Sequence, residues 1–406
     1  MTRFPPTRSV GVGLVSVGWM GTVHSRAYLA LPVIYPELGI KPRLIIAADN
    51  VQERADYAVN VLGYEESTLD YRAVLAHPDV EVVSICAPNF LHAEIGIAAA
   101  KSGKSFWIEK PVGRDAVETE AVQAAVVGAR VTTTIGFNYR NAPAVEHAKK
   151  LIADGALGRI TNVRGAFFAD YSAEPKGALT WRFIRKFAGS GVLGDLMGHL
   201  VDLVQYLIGP IAEVSGITKT IHAERPILEM GTGTHFAVIE NGKMEPVENE
   251  DYAGAVFRLA DNALAAGAVG TIEASRVAVG PRASYTFEIY GTEGSIRWDF
   301  ERMNEIEIAI GRQGEHVGYQ RVMAGPGFGD FGNFHPGAGT SMGYDDLKIV
   351  EARKFLEAYF GGPAKNSNIH DAVSAARVVG AIEESAESKQ WVKIQSVDNT
   401  TAALKP

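Results

Sequence analysis

The run SVGVGLVSV (9–17) leads straight into Gly18-Trp19-Met20-Gly21, and a helical pattern starts inside that turn. A strand that feeds a helix through so short a glycine turn commits the chain to a strand–turn–helix unit. The same alternation then repeats. Strand-like runs recur at 43–49, 80–88, 105–110 and 131–139, and helical patterns fill 20–31, 51–63, 91–103 and 117–129. The runs are apolar throughout, so both faces of the sheet are to be covered, which is the signature of a parallel α/β sheet.

After Tyr139 the rhythm changes. A helix over 142–154 closes at Gly155, and strands then come in alternation and in pairs. The segment 253–275 reads as two strands with Asp261-Asn262 near the turn, and 285–300 as a hairpin around Gly291-Thr292-Glu293-Gly294. The expected architecture is a Rossmann-type α/β domain over 1–140. An α+β domain with a large, mainly antiparallel sheet follows over 141–406, its C-terminal helices free to pack back on the first. Residues 325–344 are Gly-rich and read as a structured loop, followed by helical patterns at 345–360 and 370–388.

The composition restricts the partners. The 406 residues are 47% hydrophobic and carry a net charge of −8 spread along the chain, with no basic patch for nucleic acid and no polybasic anchor. No apolar run is read as approaching the ~20 residues of a membrane span. MTRFPPTR (1–8) lacks the apolar core of a signal peptide and is read as a short disordered arm. The single cysteine, Cys86, lies in the apolar run VVSICAP and cannot form an internal disulfide, which suits a cytoplasmic protein. With only apolar neighbours it reads as a small core residue rather than a reactive thiol. No metal site is expected.

Ser16-Val17-Gly18-Trp19-Met20-Gly21 fits G-x-G-x-x-G with serine at the first position. Gly18 would let a pyrophosphate approach the backbone, Gly21 would let helix and strand pack closely, and the helix N-terminus would face the anion. A tight turn that binds nothing has the same look. Asp49 ends the second strand 28 residues after Gly21 (49 − 21). A carboxylate there accepts from ribose hydroxyls and repels a 2′-phosphate, so NAD is expected over NADP. An acid capping a loop is the plainer alternative.

Glu109-Lys110-Pro111 ends an apolar run with two opposite charges. Proline pushes Lys110 toward extended geometry, at the carboxyl end of a parallel strand, where open α/β sheets bind ligands. An amine there can hold a substrate hydroxyl or carry a proton, although a surface ion pair at a turn reads the same way. Further on, the Gly-rich entry 189–194 opens a helix from about Val192. Asp195 and His199 are four apart on it, hence on one face, with Asp202 three further on. A histidine one turn from a carboxylate is a proton-transfer pair near neutral pH, or else a core histidine on an amphipathic helix.

These residues carry a family resemblance. The chain resembles the glucose–fructose oxidoreductase / inositol dehydrogenase / rhizopine-catabolism (Gfo/Idh/MocA) family. The matches run in order: 16–21, Ala87-Pro88-Asn89-Phe90-Leu91-His92, Glu109-Lys110-Pro111, Asn138-Tyr139-Arg140, Gly155-Ala156-Leu157-Gly158, Gly194-Asp195 with His199, and Tyr290-Gly291-Thr292-Glu293-Gly294-Ser295. Trp181-Arg182, Glu273-Ala274-Ser275-Arg276 and Glu301-Arg302-Met303-Asn304-Glu305 make it most similar to inositol and monosaccharide dehydrogenases of the scyllo-inositol or levoglucosan type.

The resemblance implies NAD in the first domain, with Lys110, Asp195 and His199 reaching the substrate across a cleft. It also implies a cis peptide before Pro111, and cofactor contacts from Ala87, Pro88, Asn89, His92, Glu109, Asn138, Trp181 and Arg182. Sugar contacts fall on Tyr139, Asp170 and Arg182, and His335 and Thr340 of the Gly-rich loop are further candidates. The function so implied is NAD-dependent oxidation of a secondary hydroxyl on a cyclitol, sugar or anhydrosugar. Redox-assisted glycoside cleavage and a non-catalytic NAD-binding regulator are the rival readings. A homodimer or, more readily, a homotetramer is implied as well.

Overall fold

The computed structural model describes residues 7–227, 237–312 and 318–395. Most of the expected N-terminal arm, residues 1–6, lies outside the described residues. The chain divides into two compact units. One comprises Met1–His147 with Met323–Ile369, and the other Ala148–Val322 with His370–Pro406.

The first unit opens with β1 (Arg8–Val15), α1 (Trp19–Ile34), β2 (Ile40–Ala48), α2 (Gln52–Tyr57), β3 (Glu66–Thr68), α3 (Tyr71–Ala76), β4 (Val82–Ile85) and α4 (Asn89–Lys101). β5 (Ser105–Ile108), α5 (Ala116–Ala129), β6 (Thr133–Ile135) and α6 (Pro143–Ala153) follow, α6 running on past His147. Its six strands form one sheet in the order β3-β2-β1-β4-β5-β6, and every described pairing is parallel. The strands are buried because their residues are apolar on both faces: Val12, Leu14, Val82, Ile85, Phe106, Trp107 and Ile108 are all out of contact with water. Short β3 and α3 have no counterpart in the sequence reading, since β3 is three polar residues and α3 a six-residue helix too short to show a period. Asp70 caps α3 by accepting from the Arg72 N–H at 3.0 Å.

Two strands are shorter than expected. β5 stops at Ile108, so Glu109 and Lys110 lie just beyond it, and β6 stops at Ile135. Asn138, Tyr139 and Arg140 belong to a 3₁₀ turn, Asn138–Asn141.

The second unit holds β7 (Ile160–Phe168), α7 (Arg185–Ala188), α8 (Gly198–Leu207), β8 (Ile211–Lys219), β9 (Glu224–Pro226), β10 (Met244–Pro246), β11 (Tyr252–Leu259) and β12 (Val269–Ser275). It continues with β13 (Ser284–Gly291), β14 (Gly294–Asp299), β15 (Glu305–Ile310) and β16 (Gln320–Met323). Its main sheet runs β16-β15-β14-β13-β7-β12-β11-β8-β17, the last being β17 (Val392–Lys393). β7 and β12 pair in parallel; the other described pairs are antiparallel, including the expected 253–275 pair and the β13–β14 hairpin.

The chain returns to the first unit through α9 (Phe331–Phe334) and α10 (Tyr344–Tyr359), before α11 (Ile369–Ser388) packs on β8 of the second. The sequence reading sets one boundary at 140/141 and leaves the C-terminal helices free to pack back on the first domain; residues Met323–Ile369, which carry α10, count with the first unit. The reason is apolar: Ile349, Ala352, Phe355 and Leu356 of α10 are buried in one core with Val12, Leu14, Tyr28 and Leu31.

The segment Arg185–Leu207, 23 residues, is by length and composition apolar enough to cross a membrane, contrary to the expectation that no run comes near that. Its most apolar window is 78% buried inside the protein, as in a core helix. Among the described residues no group of three or more His, Cys, Asp and Glu is placed to hold a metal ion.

Candidate active site

The turn after β1 is built as a cradle for an anion. A Cβ on Gly18 would meet nothing within 4 Å, so the backbone lies open there. A Cβ on Gly21 would stand 2.1 Å from the Ser16 carbonyl oxygen, so helix and strand pack as closely as glycine permits. α1 starts without a side-chain cap and without an acidic residue in its first turn, which leaves its N–H groups and dipole to a ligand. Ser16 occupies the first glycine position at φ 75, left-handed backbone held by its N–H donating to Ala48 O at 2.7 Å. Asp49, almost fully buried, spans the turn: Oδ2 accepts from the Val17 N–H at 2.8 Å and Oδ1 from the Val51 N–H at 3.0 Å. A carboxylate has about four lone-pair positions, so it retains capacity toward a ribose.

Trp19 and Met20 meet an aromatic group from a remote segment. Trp19, largely exposed, stacks on Tyr344 at 5.5 Å between ring centroids, and the Tyr344 hydroxyl donates to Met20 Sδ at 3.8 Å. Tyr139 meets the same tyrosine edge-on at 6.4 Å.

Behind the carboxyl ends of β4 and β5 lies a buried charge network. Lys348 Nζ is 2.5 Å from Glu109 Oε1 and 2.8 Å from Glu351 Oε2; His24 Nε2 is 3.0 Å from Glu109 Oε1. Trp107 stacks flat on His24, ring centroids 3.4 Å apart, and donates its indole N–H to Glu351. Burial acts to raise the Glu109 pKa, but the Lys348 charge and the His24 hydrogen bond outweigh it and hold it well below the ordinary carboxylate value. Burial lowers His24 to about 4, so its imidazole is neutral at physiological pH. Glu109, ionised, only accepts, so His24 Nε2 carries the proton and Nδ1 accepts from the Ser84 hydroxyl at 3.1 Å. Burial pushes Glu351 up to about 7 against the pull of Lys348.

Lys110 is half-buried at the end of this structure, and the Lys110–Pro111 peptide is cis. The Pro111 carbonyl accepts from His92 Nδ1 at 2.7 Å, and burial holds His92 below its ordinary pKa against the carbonyls of Pro111 and Ala87. Asn89 is the first residue of α4, with Pro88 as its N-cap and Ala87 just before. Asn138 is buried and its Nδ2 has no hydrogen-bond partner among the described residues, a donor suited to a bound carboxamide or ribose. The open turn, the uncapped helix and this orphaned donor together fit a dinucleotide. His335 and Thr340 bond within their own loop, to Ser341 O and Gly337 O. Cys86 packs against the core and burial pushes its thiol well above the ordinary value, as expected for an unreactive cysteine.

In the second unit the helix carrying Asp195 and His199 is not regular. It begins as a π-turn, Leu193–Met197, and only then becomes α8, so the four-residue step assumed for an α-helix does not hold between the two residues. Its entry is clamped by Glu250, whose Oε1 accepts from the Gly191 and Leu193 N–H groups at 2.8 and 2.9 Å. Asp195 Oδ2 accepts from the Tyr171 hydroxyl at 2.5 Å. Burial, and then the Asp195 charge, push the Tyr171 phenol well above its ordinary value and keep it a donor. His199 is buried beside Phe167 and Tyr285, and its backbone carbonyl accepts from the Tyr285 hydroxyl at 2.6 Å.

Arg182 lies over the Trp181 ring at 4.5 Å. Asp170 is held by an ion pair with Arg282. Arg276, part of the resemblance, serves the core: it pairs with buried Asp251 at 2.8 Å, and Arg276 and Arg225 both lie over Phe183. Sequence reasoning did not single out His24, Lys348, Glu351, Tyr344, Tyr171 or Glu250. A lysine at 348 flanked by apolar Leu347 and Ile349 was the one available signal.

Residues 10–137 match the family described as an oxidoreductase family with an NAD-binding Rossmann fold, and residues 145–297 match the GFO/IDH/MocA C-terminal domain. The chain is 38% identical to levoglucosan dehydrogenase of Pseudarthrobacter phenanthrenivorans over 96% of its own length and 99% of that protein. It is 25% identical to inositol 2-dehydrogenase of Rhizobium meliloti over 95% and 99%. A solved levoglucosan dehydrogenase in complex with NADH and levoglucosan superposes with a TM-score of 0.88 at 37% identity, covering 96% of this chain and all of that one. The chain belongs to the GFO/IDH/MocA family, and it is an NAD-binding oxidoreductase.

Proposed function

We propose that the protein oxidises a secondary hydroxyl of an anhydrosugar of the levoglucosan kind, or of a closely similar pyranose or cyclitol. The observation that carries this reading is the near-complete coverage by levoglucosan dehydrogenase, together with the presence here of Lys110, Asp195 and His199. Bound NAD supplies the hydride acceptor at its nicotinamide C4. The chain's residues do the rest. His199 takes the hydroxyl proton, directly or through Lys110. Asp195, with one oxygen engaged by Tyr171, orients the imidazole or accepts from a neighbouring hydroxyl. Lys110 stabilises the developing alkoxide. Such acid–base help is worth roughly 10²–10⁴-fold. Arg182, Tyr139 and Asp170 pair the other hydroxyls, and a site built on such pairs rejects deoxy analogues.

A screen for NADH formation over levoglucosan, inositol isomers and aldoses tests the reading. Levoglucosan is expected to give the highest kcat/KM, and Lys110→Ala to keep NADH affinity while losing most turnover. Failure of every polyol to reduce NAD sinks it.

We also infer a cytoplasmic homo-oligomer. Supporting the oligomer, the sheet of the second unit leaves Ile217, Val256, Val269 and Trp391 exposed. A monomer by light scattering would contradict that.

A further inference from the structure

We propose that Tyr344 is a positioning residue that sets the spacing between the dinucleotide turn and Tyr139 over the carboxyl ends of β4 and β5; the inference rests on the dehydrogenase reading above. The argument is topological. Trp19 and Met20 follow β1, and Tyr139 follows β6. In the sheet order β1-β4-β5-β6 these ends are three strand spacings apart, roughly 14 Å. One side chain nevertheless reaches both: Tyr344 stacks on Trp19 at 5.5 Å, donates to Met20 Sδ, and meets Tyr139 edge-on at 6.4 Å. A ring that touches both flanks of a parallel sheet's carboxyl edge lies over the strands between them. Just beyond those strands come Cys86-Ala87 and Glu109-Lys110.

The electrostatics agree. The charges of Lys348, Glu109, Glu351 and Asp345 all act on the Tyr344 phenol, which burial keeps protonated. The support is rigid on both sides. Tyr344 is the first residue of α10, whose start is closed by Asp346 accepting from the Gly343 N–H at 2.7 Å, and whose body carries Lys348 into the charge network beneath. The ring therefore ties three groups with separate duties, the turn, the edge that carries Lys110, and Tyr139. Its loss is expected to disturb cofactor and sugar binding together, while Lys110, Asp195 and His199 keep their chemistry.

The test compares Tyr344→Ala with Tyr344→Phe. Phenylalanine keeps the stack and the edge contact and loses only the hydroxyl. NADH affinity is read by fluorescence titration without substrate, and KM and kcat are read with levoglucosan. Tyr344→Ala is expected to weaken NADH binding and raise the sugar KM, each at least fivefold, with kcat at saturation within threefold of wild type. Tyr344→Phe is expected to stay within twofold on every count. Should Tyr344→Ala not fold, Tyr344→Leu, which keeps apolar volume without a ring, is expected to show the same split. An alanine or leucine variant that binds NADH and sugar like wild type overturns the proposal, and so does a phenylalanine variant as impaired as alanine. Wild-type turnover in Lys110→Ala would instead break the dehydrogenase reading, whatever Tyr344 does.

Discussion

The ammonium of Lys348 stands 2.5 Å from the Glu109 carboxylate, deep in the first unit, although 239 residues separate them in the chain. The carboxylate that precedes Lys110 thus has a countercharge from a different element. Replacing Lys348 by methionine leaves Glu109 and Glu351 buried without that cation. Breaking a buried pair from one side costs about 3–5 kcal/mol. The double variant Glu109→Gln/Lys348→Met is expected to recover most of that loss. Chemical denaturation of the three proteins measures it, and a single variant as stable as wild type would show the pair to be inconsequential.

Two members of the network titrate in opposite senses. His24 falls to about 4 from 6.5 on folding, so its contribution to stability is full above pH 6.5 and is lost as pH falls toward 4. Glu351 rises to about 7 from 4.5, so its contribution is full below pH 4.5 and is lost as pH rises through 7. The melting temperature of Glu351→Gln relative to wild type is therefore expected to climb between pH 4.5 and 7 and level off above. A difference independent of pH would mean that Glu351 does not titrate there.

The two glycines of the turn separate binding from folding. Gly21→Ala drives a Cβ to 2.1 Å from Ser16 O and is expected to destabilise by ~1–3 kcal/mol, by thermal melting. Gly18→Ala meets no protein atom and has ordinary φ of −72, so stability stays within ~0.5 kcal/mol. Its NADH affinity is expected to drop about tenfold or more, ~1.4 kcal/mol. Unchanged NADH binding by Gly18→Ala would remove the pyrophosphate from this turn.

Asp49 holds the turn through two backbone N–H groups, and its role toward a ribose is tested by removing its charge. Asp49→Asn keeps one acceptor and loses the charge. The ratio of NADPH to NADH affinity is expected to rise about tenfold, ~1.4 kcal/mol, measured by paired fluorescence titrations. No change in the ratio would leave Asp49 a purely local clamp.

Tyr171→Phe deletes one hydroxyl, the donor to Asp195 Oδ2. Hydrogen bonds to charged groups are worth about 1.5–3 kcal/mol, so kcat/KM is expected to fall by roughly 10–100-fold with NADH affinity unchanged. Full activity in that variant would detach Tyr171 from catalysis.

The local parts of this design were readable in the sequence. The β1–α1 turn, Asp49 and Glu109-Lys110 are each set by neighbours a few residues away, and the hairpin at Gly291–Gly294 by its own turn. The missing parts are those fixed by remote contacts. Nothing near Lys348 in sequence names Glu109, and nothing near Tyr344 names Trp19 or Tyr139. The π-turn at Leu193–Met197 escaped because a 3.6-residue pattern is the default reading of an apolar amphipathic run. The strand end at Ile135 was overrun because Gly136 and Phe137 carry the uncharged run past it, and that at Ile108 because a residue before proline is itself read as extended.

The return of α10 to the first unit bears on how the protein is made. A ribosome releases the cofactor turn early, but the helix that buries Phe355 and Leu356 against Tyr28 and Leu31, and delivers Lys348 to Glu109, emerges only after β7 to β16 of the second unit. The nucleotide-binding half therefore completes its core only late in synthesis, and nascent chains cut short before α10 are left with a naked apolar flank. Such truncations invite chaperones and proteases even though every glycine of the turn is already in place.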